Sequence, residues 1–403
     1  SEIVREAINV LEKTESVNRV ENIEKTAIEI AALRGVQVSY SDIRSAISTL
    51  KSEEQIKIFE INTNGMKDLY VSSKEQFEIE KQNLEIVNEL KNTKEAFYSV
   101  TEVEKKIQAF EKEKGFSLSQ GQKEAVEKTL TSKDAVTIWQ GVAGAGKTTA
   151  MELVAIALRE RGYHVVGLAP TGKAAEELAR SIGQADTIHS FLQNLESLKE
   201  RFGFCYVTSQ FKEKLEKEYE RFNSVFEKHS ALFAGNIEKL NFTGKIQELF
   251  GKQAKTETLI SQLVNTIEKG LGMQHDRIHA YVAGEHRILT RFSFKDKTVE
   301  VYVKNAQGDI RFVKFDKDKQ VIENKLVLNP CGLITEKTAF IVDESSMLSS
   351  KQANELLSIA KTTGARIVFV GDISQLQAVE AGRFFADVQK YSKAETARIS
   401  EIQ

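Results

Sequence analysis

Apolar residues recur along this chain with changing period, and the changes divide it into five segments. In residues 1–75 the period is first helical. Ile23, Ala27, Ile30 and Leu33 share one face, Gly35 stops the run, and Ile43, Ile47 and Leu50 form a second face behind the capping candidates Ser39 and Ser41. Ile56, Ile58 and Ile61 then alternate with Lys57 and Glu60. Asn62-Thr63-Asn64-Gly65 is a turn sequence, and Leu69-Tyr70-Val71 returns. Helix, helix, hairpin is the order of a winged-helix-like α+β module. Its second helix mixes Asp42, Glu53 and Glu54 with Arg44 and Lys51, so the module is as readily a packing unit as a DNA reader.

Residues 76–114 are dense in Lys and Glu, with Phe77, Ile79, Leu84, Val87 and Leu90 at helical spacing. This predicts a helical connector with a solvated charged face. In 115–192 and 338–403 the pattern becomes continuous apolar runs: Val136–Trp139, His164–Pro170, Thr338–Val342 and Arg366–Asp372. Such runs suit strands buried on both faces of a parallel sheet. Between them, residues 193–337 read as an insertion. Its first part, to about 284, is expected to be long helices carrying Phe222, Phe226, Leu232, Phe233, Leu259, Leu263 and Ile267. From His286 the period is two. Ile288–Phe294, Val299–Val303 and Ile310–Phe315, with turns at 295–297 and 305–309, predict a β-meander. Arg287, Arg291, Lys304, Arg311 and Lys314, interleaved with Tyr302 and Phe312, suit either a strand-gripping surface or an ordinary solvated sheet face.

Composition narrows the classes. A chain of 403 residues with 28% charged and 41% hydrophobic residues is an ordinary globular composition, long enough for two to four domains. The net charge of −2 excludes a global basic field, so any nucleic-acid contact needs a local groove. Cys205 and Cys331 have no metal or redox spacing and fit a reducing, cytoplasmic setting. No apolar run is long enough to cross a bilayer, so no membrane insertion is expected. His275 and His279, four apart, resemble a zinc-protease pair if helical, but no third ligand is evident.

The chemistry concentrates at strand ends. Gly141-Val142-Ala143-Gly144-Ala145-Gly146-Lys147-Thr148-Thr149 spells G-x-x-x-x-G-K-T between a β-branched run and a helix-forming run. This is the setting of a phosphate-cradling P-loop. Backbone N–H groups of Gly141, Ala143, Gly144, Ala145 and Gly146 would cradle phosphates. Lys147 would reach the β- and γ-phosphates of ATP, and Thr148, followed by Thr149, would hold Mg²⁺. Gln122, upstream on a helix start, can pair with the adenine edge. After the strand 338–342, Asp343 would hold Mg²⁺ and Glu344 would orient and deprotonate the attacking water. Gln375, at the next strand's tip, would sense the γ-phosphate. Lys147, Asp343, Glu344 and Gln375 are thus the catalytic candidates. Pro170-Thr171-Gly172-Lys173 and Thr187-Ile188-His189 open helices at strand tips and suit gripping a phosphodiester of single-stranded DNA.

These segments resemble a known family. Gly141–Thr149, Thr171–Ala175, Asp343–Ser346 and Gly371–Leu376 are similar to motifs I, Ia, II and III of superfamily 1 helicases, in the RecD-like branch. Val342–Met347 and Leu69–Glu75 are most similar to MobF-family conjugative relaxase–helicases. The likeness covers roughly 15–75, 110–192 and 337–403. It implies an α/β fold, one RecA-like lobe with a parallel P-loop sheet, formed by 115–192 and 338–403 around an insertion placed like the 1B subdomain of such helicases. It further implies a 5′-to-3′ single-stranded-DNA translocase unwinding plasmid DNA in conjugation, in the bacterial cytoplasm. A relaxase domain would sit in the parent protein, a type IV secretion coupling protein would be a partner, and transfer into the recipient cell would follow. The family's three-histidine metal site and tyrosines have no counterpart here, and the sequence stops before a second RecA-like domain. An excised piece is therefore expected, binding ATP·Mg²⁺ but turning it over slowly and not unwinding alone. Two other readings remain: a recognition module for single-stranded DNA or secretion machinery on an ATPase scaffold, and a RecD-like repair helicase.

Overall fold

The computed structural model describes residues 1–63, 66–234, 247–250, 258–259, 262–265, 278–293, 295–318, 320–375 and 382–401. The described chain forms two compact units, Ser1–Tyr206 with Ile334–Gln403, and Val207–Leu333.

The first unit opens with α1 (Glu2–Leu11), β1 (Asn18–Arg19), α2 (Val20–Leu33), α3 (Tyr40–Ser52), β2 (Ile56–Thr63) and β3 (Met66–Ser73). Ser39 starts α3 with a capping box, its hydroxyl accepting from Asp42 N while Asp42 accepts from Ser39 N. Ile23, Ala27, Ile43, Ile47 and Leu50 meet in one small core with Ile56 and Val71. The sheet order is β1-β3-β2, antiparallel throughout, which is the winged-helix-like arrangement. Asn64 and Gly65 of the expected turn lie outside the described residues.

Two helices follow, α4 (Lys74–Glu89) and α5 (Val100–Lys114). As the helical spacing of their apolar residues suggested, one stripe of each is core while charged residues such as Lys81, Glu85 and Glu89 are exposed. Ile86, Val87 and Leu90 pack on one face of the main sheet, and Val103, Ile107 and Phe110 on the other. Asn83 fixes α4 further, donating to Ser350 O at 2.8 Å.

The main sheet is built from α6 (Gln120–Thr131), β4 (Val136–Gly141), α7 (Lys147–Glu160), β5 (His164–Ala169), α8 (Gly172–Ile182), β6 (Ala185–Thr187) and α9 (Ile188–Phe202). With strands 338–342 (β12), 366–371 (β13) and 396–399 (β14) from the last part of the chain, its strand order is β14-β4-β13-β12-β5-β6 and every pairing is parallel, so the expected α/β class with a RecA-like P-loop sheet holds. Val136, Ile138, Trp139, Phe340, Ile341, Phe369 and Val370 are almost fully buried because helices cover both faces. Trp139 keeps its indole N–H satisfied by donating to Thr129 Oγ1 at 2.7 Å.

The second unit holds α10 (Ser209–Lys228) and an antiparallel meander of β7 (Ile278–Ala283), β8 (His286–Ser293), β9 (Thr298–Lys304), β10 (Ile310–Phe315) and β11 (Val321–Val327). The meander has five strands where three were expected, and the helical reading of 195–284 fails at its end, where β7 begins. His279 accordingly sits on a strand, not a helix, and His275 lies outside the described residues, as does Ile267. Of the two readings of the charged and aromatic residues, a gripping surface or a solvated sheet face, neither fits Tyr302, Phe312 and Arg311. Tyr302 and Phe312 are buried beneath Phe222 and Phe226 of α10, and Arg311 is buried with its Nε donating to Leu249 O at 2.9 Å. Among the described residues both sheet faces carry apolar cover, which takes Tyr302 and Phe312 out of reach of a strand.

The first unit ends with β12 (Thr338–Val342), α11 (Ser350–Thr363), β13 (Arg366–Gly371), α12 (Phe384–Tyr391) and β14 (Thr396–Ile399).

Candidate nucleotide-binding site

The loop after β4 enters α7 through Gly146, whose φ of 68° is a left-handed conformation that glycine adopts without a Cβ penalty. Gly141 is required for a different reason. A Cβ there would stand 2.7 Å from Lys147 Cδ and 2.9 Å from its Cγ, so any larger residue would displace the lysine stem from its place in the loop. Lys147 Nζ donates to Gly141 O at 2.8 Å and Val142 O at 3.2 Å, which folds the ammonium back into the loop. Ala143, Gly144 and Thr148 are exposed, Thr149 is half-buried and Ala145 is buried in the core.

Gln122 is placed differently from the base-reading role expected of it. It is fully buried; its Oε1 accepts from Ser119 N at 2.7 Å, completing the cap of α6. Its Nε2 donates to Gly146 O at 2.9 Å and to Ala145 O at 3.3 Å. Both ends of the amide are committed to tying α6 to the P-loop.

The carboxylates stand two strands away. β13 lies between β4 and β12, so the loops after all three strands gather at one edge of the sheet. Asp343 N donates to Leu168 O at 2.9 Å, and Asp343 Oδ1 accepts from Glu344 N at 2.9 Å. Burial pushes the Asp343 carboxyl up to about 6, and the neighbouring Glu344 charge adds to that, against the Glu344 N–H bond and the Lys147 charge. Glu344 has φ 51°, a left-handed conformation that costs a side-chain-bearing residue energy and is held by the turn Ser345–Met347. Ser345 supports it by donating to Val342 O at 2.7 Å.

Gln375 does not stand alone at the tip of β13. Its Nε2 donates to Asp372 Oδ2 at 3.2 Å, while Ser374 Oγ and Gln140 Nε2 donate to Oδ1 at 2.7 and 3.0 Å. Gln140 was missed by sequence reasoning, as was Gln389, whose Nε2 donates to Gln140 Oε1 at 3.2 Å. The available signal was an amide residue at the end of a strand whose other residues are apolar, glycine or Thr137. Leu376, the last residue matched to motif III, lies outside the described residues.

Hard oxygen donors at this edge fit Mg²⁺. A half-buried carboxylate with a raised pKa gains from a neighbouring cation, and the Thr148 hydroxyl is exposed on the first turn of α7. Among the described residues no three His, Cys, Asp or Glu side chains cluster as a metal cage.

The DNA candidates lie at the same edge. β5 pairs with β6 so that Ala169 and Thr187 are register partners. Thr171 caps α8 by accepting from Ala174 N at 3.2 Å, and Thr187 caps α9 by accepting from Ser190 N at 3.1 Å. Two capped helix starts therefore follow neighbouring strands. Gly172, Lys173 and His189 are exposed there, while Pro170 is half-buried.

Comparison with known proteins gives two kinds of match. Over 67 residues the chain is 46% identical to a conjugal transfer protein TraA of Rhizobium radiobacter, and over 66 residues it is 42% identical to a probable conjugal transfer protein TraA of Sinorhizobium fredii. A TraA of Agrobacterium fabrum is 40% identical over 67 residues. Each alignment covers 16% of this chain and 6% of the relative. No helix among the described residues is long and apolar enough to cross a membrane. A family model described as an AAA domain matches residues 117–221 and 257–403, more than half of the sequence and including the P-loop. The chain belongs to this AAA domain family.

Proposed function

We propose that this chain binds ATP with Mg²⁺ through the edge formed by β4, β12 and β13, and is the nucleotide-binding part of a DNA helicase serving conjugal transfer. The observation that carries the reading is the gathering of Lys147, Asp343, Glu344 and Gln375 on loops after three adjacent parallel strands. In that arrangement the P-loop amides and Lys147 hold the phosphates. Thr148 and Asp343 would hold Mg²⁺, which supplies charge neutralisation at the phosphates when bound. Glu344 orients the water and accepts its proton, and Gln375, tethered to Asp372, responds to loss of the γ-phosphate.

Single-stranded DNA would lie across the starts of α8 and α9, where Thr171, Gly172, Lys173 and His189 present amides and charge to phosphodiesters. The relatives named as conjugal transfer proteins support the conjugative setting; a relaxase and a type IV coupling protein as partners, the bacterial cytoplasm as location and 5′-to-3′ movement belong to the proposal through the resemblance to conjugative relaxase–helicases. The repair-helicase alternative shares the site and lacks the relaxase.

The test measures binding of a fluorescent ATP analogue with Mg²⁺ and of a labelled oligothymidylate by the chain. Lys147→Ala should weaken nucleotide binding and Lys173→Ala should weaken DNA binding. Wild-type chain that binds neither ligand would refute the reading.

A further inference from the structure

At the opposite edge of the six-stranded sheet, about 20 Å from the P-loop at the rise of a six-residue strand, a second pocket opens. Tyr163 stands just before β5, Lys337 just before β12, and Arg366 begins β13. The turn between α4 and α5 brings Lys94 and Phe97 to the same place, and Arg161, just past α7, completes the wall of a cavity of about 660 Å³.

The cations are positioned by rings. The Arg366 guanidinium lies 3.8 Å from the Phe97 ring centroid, and Lys337 Nζ lies 4.8 Å from that of Tyr163. Phe97 and Tyr163 meet edge to face at 5.0 Å. Arg366 is only 6% exposed. It donates to Ser132 O at 3.2 Å and to Glu95 O, yet its Nε is buried without a partner. Burial and the Arg366 charge hold the Lys94 ammonium below its ordinary range, against the opposing charge of Glu336. Four cations line the cleft beside the carboxylates of Glu95 and Glu102; Glu102 is engaged with Arg161 at 3.1 Å, and the charges of Glu336 and Asp134 act on Lys94 and Arg366. Cations crowded in a partly desolvated cleft repel one another, and an anion bridging them relieves that cost.

We propose that this cleft binds an oligophosphate, an anion of two or more negative charges, independently of the P-loop. Lys337 and Arg366 at two strand starts, with Lys94 and Arg161 from the flanking turns, match phosphoryl oxygens better than a single carboxylate.

Equilibrium dialysis with radiolabelled pyrophosphate tests it on the whole chain. Wild type should bind two per chain, and Lys147→Ala should retain one. Lys94→Ala with Lys337→Glu should also retain one, and that retained P-loop site shows the variant is folded. Lys337→Ala alone should weaken the second site at least tenfold. Loss of all binding in Lys147→Ala, or two sites surviving the pocket changes, would overturn the proposal. Failure of the P-loop reading alone would appear as one site insensitive to Lys147. A 5′-phosphorylated dinucleotide that displaces pyrophosphate from Lys147→Ala would assign the phosphate to a nucleic-acid end; no displacement would assign it to a free oligophosphate.

Discussion

Gln140 Nε2 donates to Asp372 Oδ1 at 3.0 Å, joining the last residue before the P-loop to the turn after β13. The two strands are in register here, Gly371 beside Gln140. Burial alone would raise the Asp372 carboxyl. Bonds from Ser374, Gln140 and Gln375 outweigh it and hold the group below its ordinary range. Gln140 also accepts from Ile373 N at 3.2 Å, so one amide fixes both the carboxylate and the turn carrying Gln375. Gln140→Ala should cost about 1–2 kcal/mol, the worth of a bond to a buried charged acceptor. It should leave ATP affinity within a few-fold and lower the hydrolysis rate about tenfold, because it frees the Gln375 turn. Thermal melts and steady-state ATPase rates check this; unchanged turnover would rule out the coupling.

Lys147 tests the phosphate cradle directly. Its ammonium makes two bonds to loop carbonyls, and removing it leaves acceptors at a solvent-facing loop, so the fold should survive. Lys147→Ala should lower affinity for an ATP analogue roughly 10- to 100-fold, the scale of one or two charge-assisted bonds, with the far-ultraviolet circular dichroism unchanged.

Gln122 poses a sharper question. Its amide is bonded to Ser119, Ala145 and Gly146, so Gln122→Ala removes a helix cap partner and a P-loop tether together. If the tether is its role, ATP and GTP analogues should weaken equally. If it releases the loop to read adenine, only ATP should weaken. Paired titrations with the two nucleotides separate these outcomes.

The α/β sheet was legible because continuous apolar runs such as Phe340–Val342 and Ile367–Val370 have no other stable placement in a chain with a P-loop. β11 was not legible. Glu323, Asn324 and Lys325 interrupt its apolar positions, and it lies at the sheet edge, where burial demands little. α4 was legible as an amphipathic helix, with Leu84, Val87 and Leu90 on its apolar face, but the sequence did not show that this face packs on the main sheet. For the candidate site, sequence named Lys147, Asp343, Glu344 and Gln375 by spacing. It could not show Gln140 or the amide partners of Gln122, because those bonds join residues far apart in the chain.

The second unit offers a stability test. Phe222 of α10 packs 5.3 Å from the Phe312 ring centroid and 6.5 Å from that of Tyr302. Phe222→Ala should cost about 3–5 kcal/mol in that unit through lost burial and a residual cavity. The core of Phe222 lies wholly within residues 207–333, so nucleotide binding by the first unit should persist. Limited proteolysis should then cut within 207–333 first, and simultaneous loss of nucleotide binding would contradict this division of stability.

Asp387 sets a pH dependence. It lies on α12, and burial pushes its carboxyl up to about 6, with the Glu80 charge on α4 adding to the rise against Arg383 and Lys390. Its folded value is raised above the unfolded value near 4, so the folded state binds the proton more tightly. The associated stability is fully present below about pH 4 and is lost as pH rises through about 6. A rise of about two units corresponds to an upper bound on the order of 2–3 kcal/mol. Asp387→Asn keeps the shape and removes the charge. Its melting temperature should match wild type near pH 4, exceed it progressively up to pH 6, and hold a constant advantage above that. A difference that shrinks with rising pH would mean that Arg383 and Lys390, not burial and Glu80, govern this carboxyl.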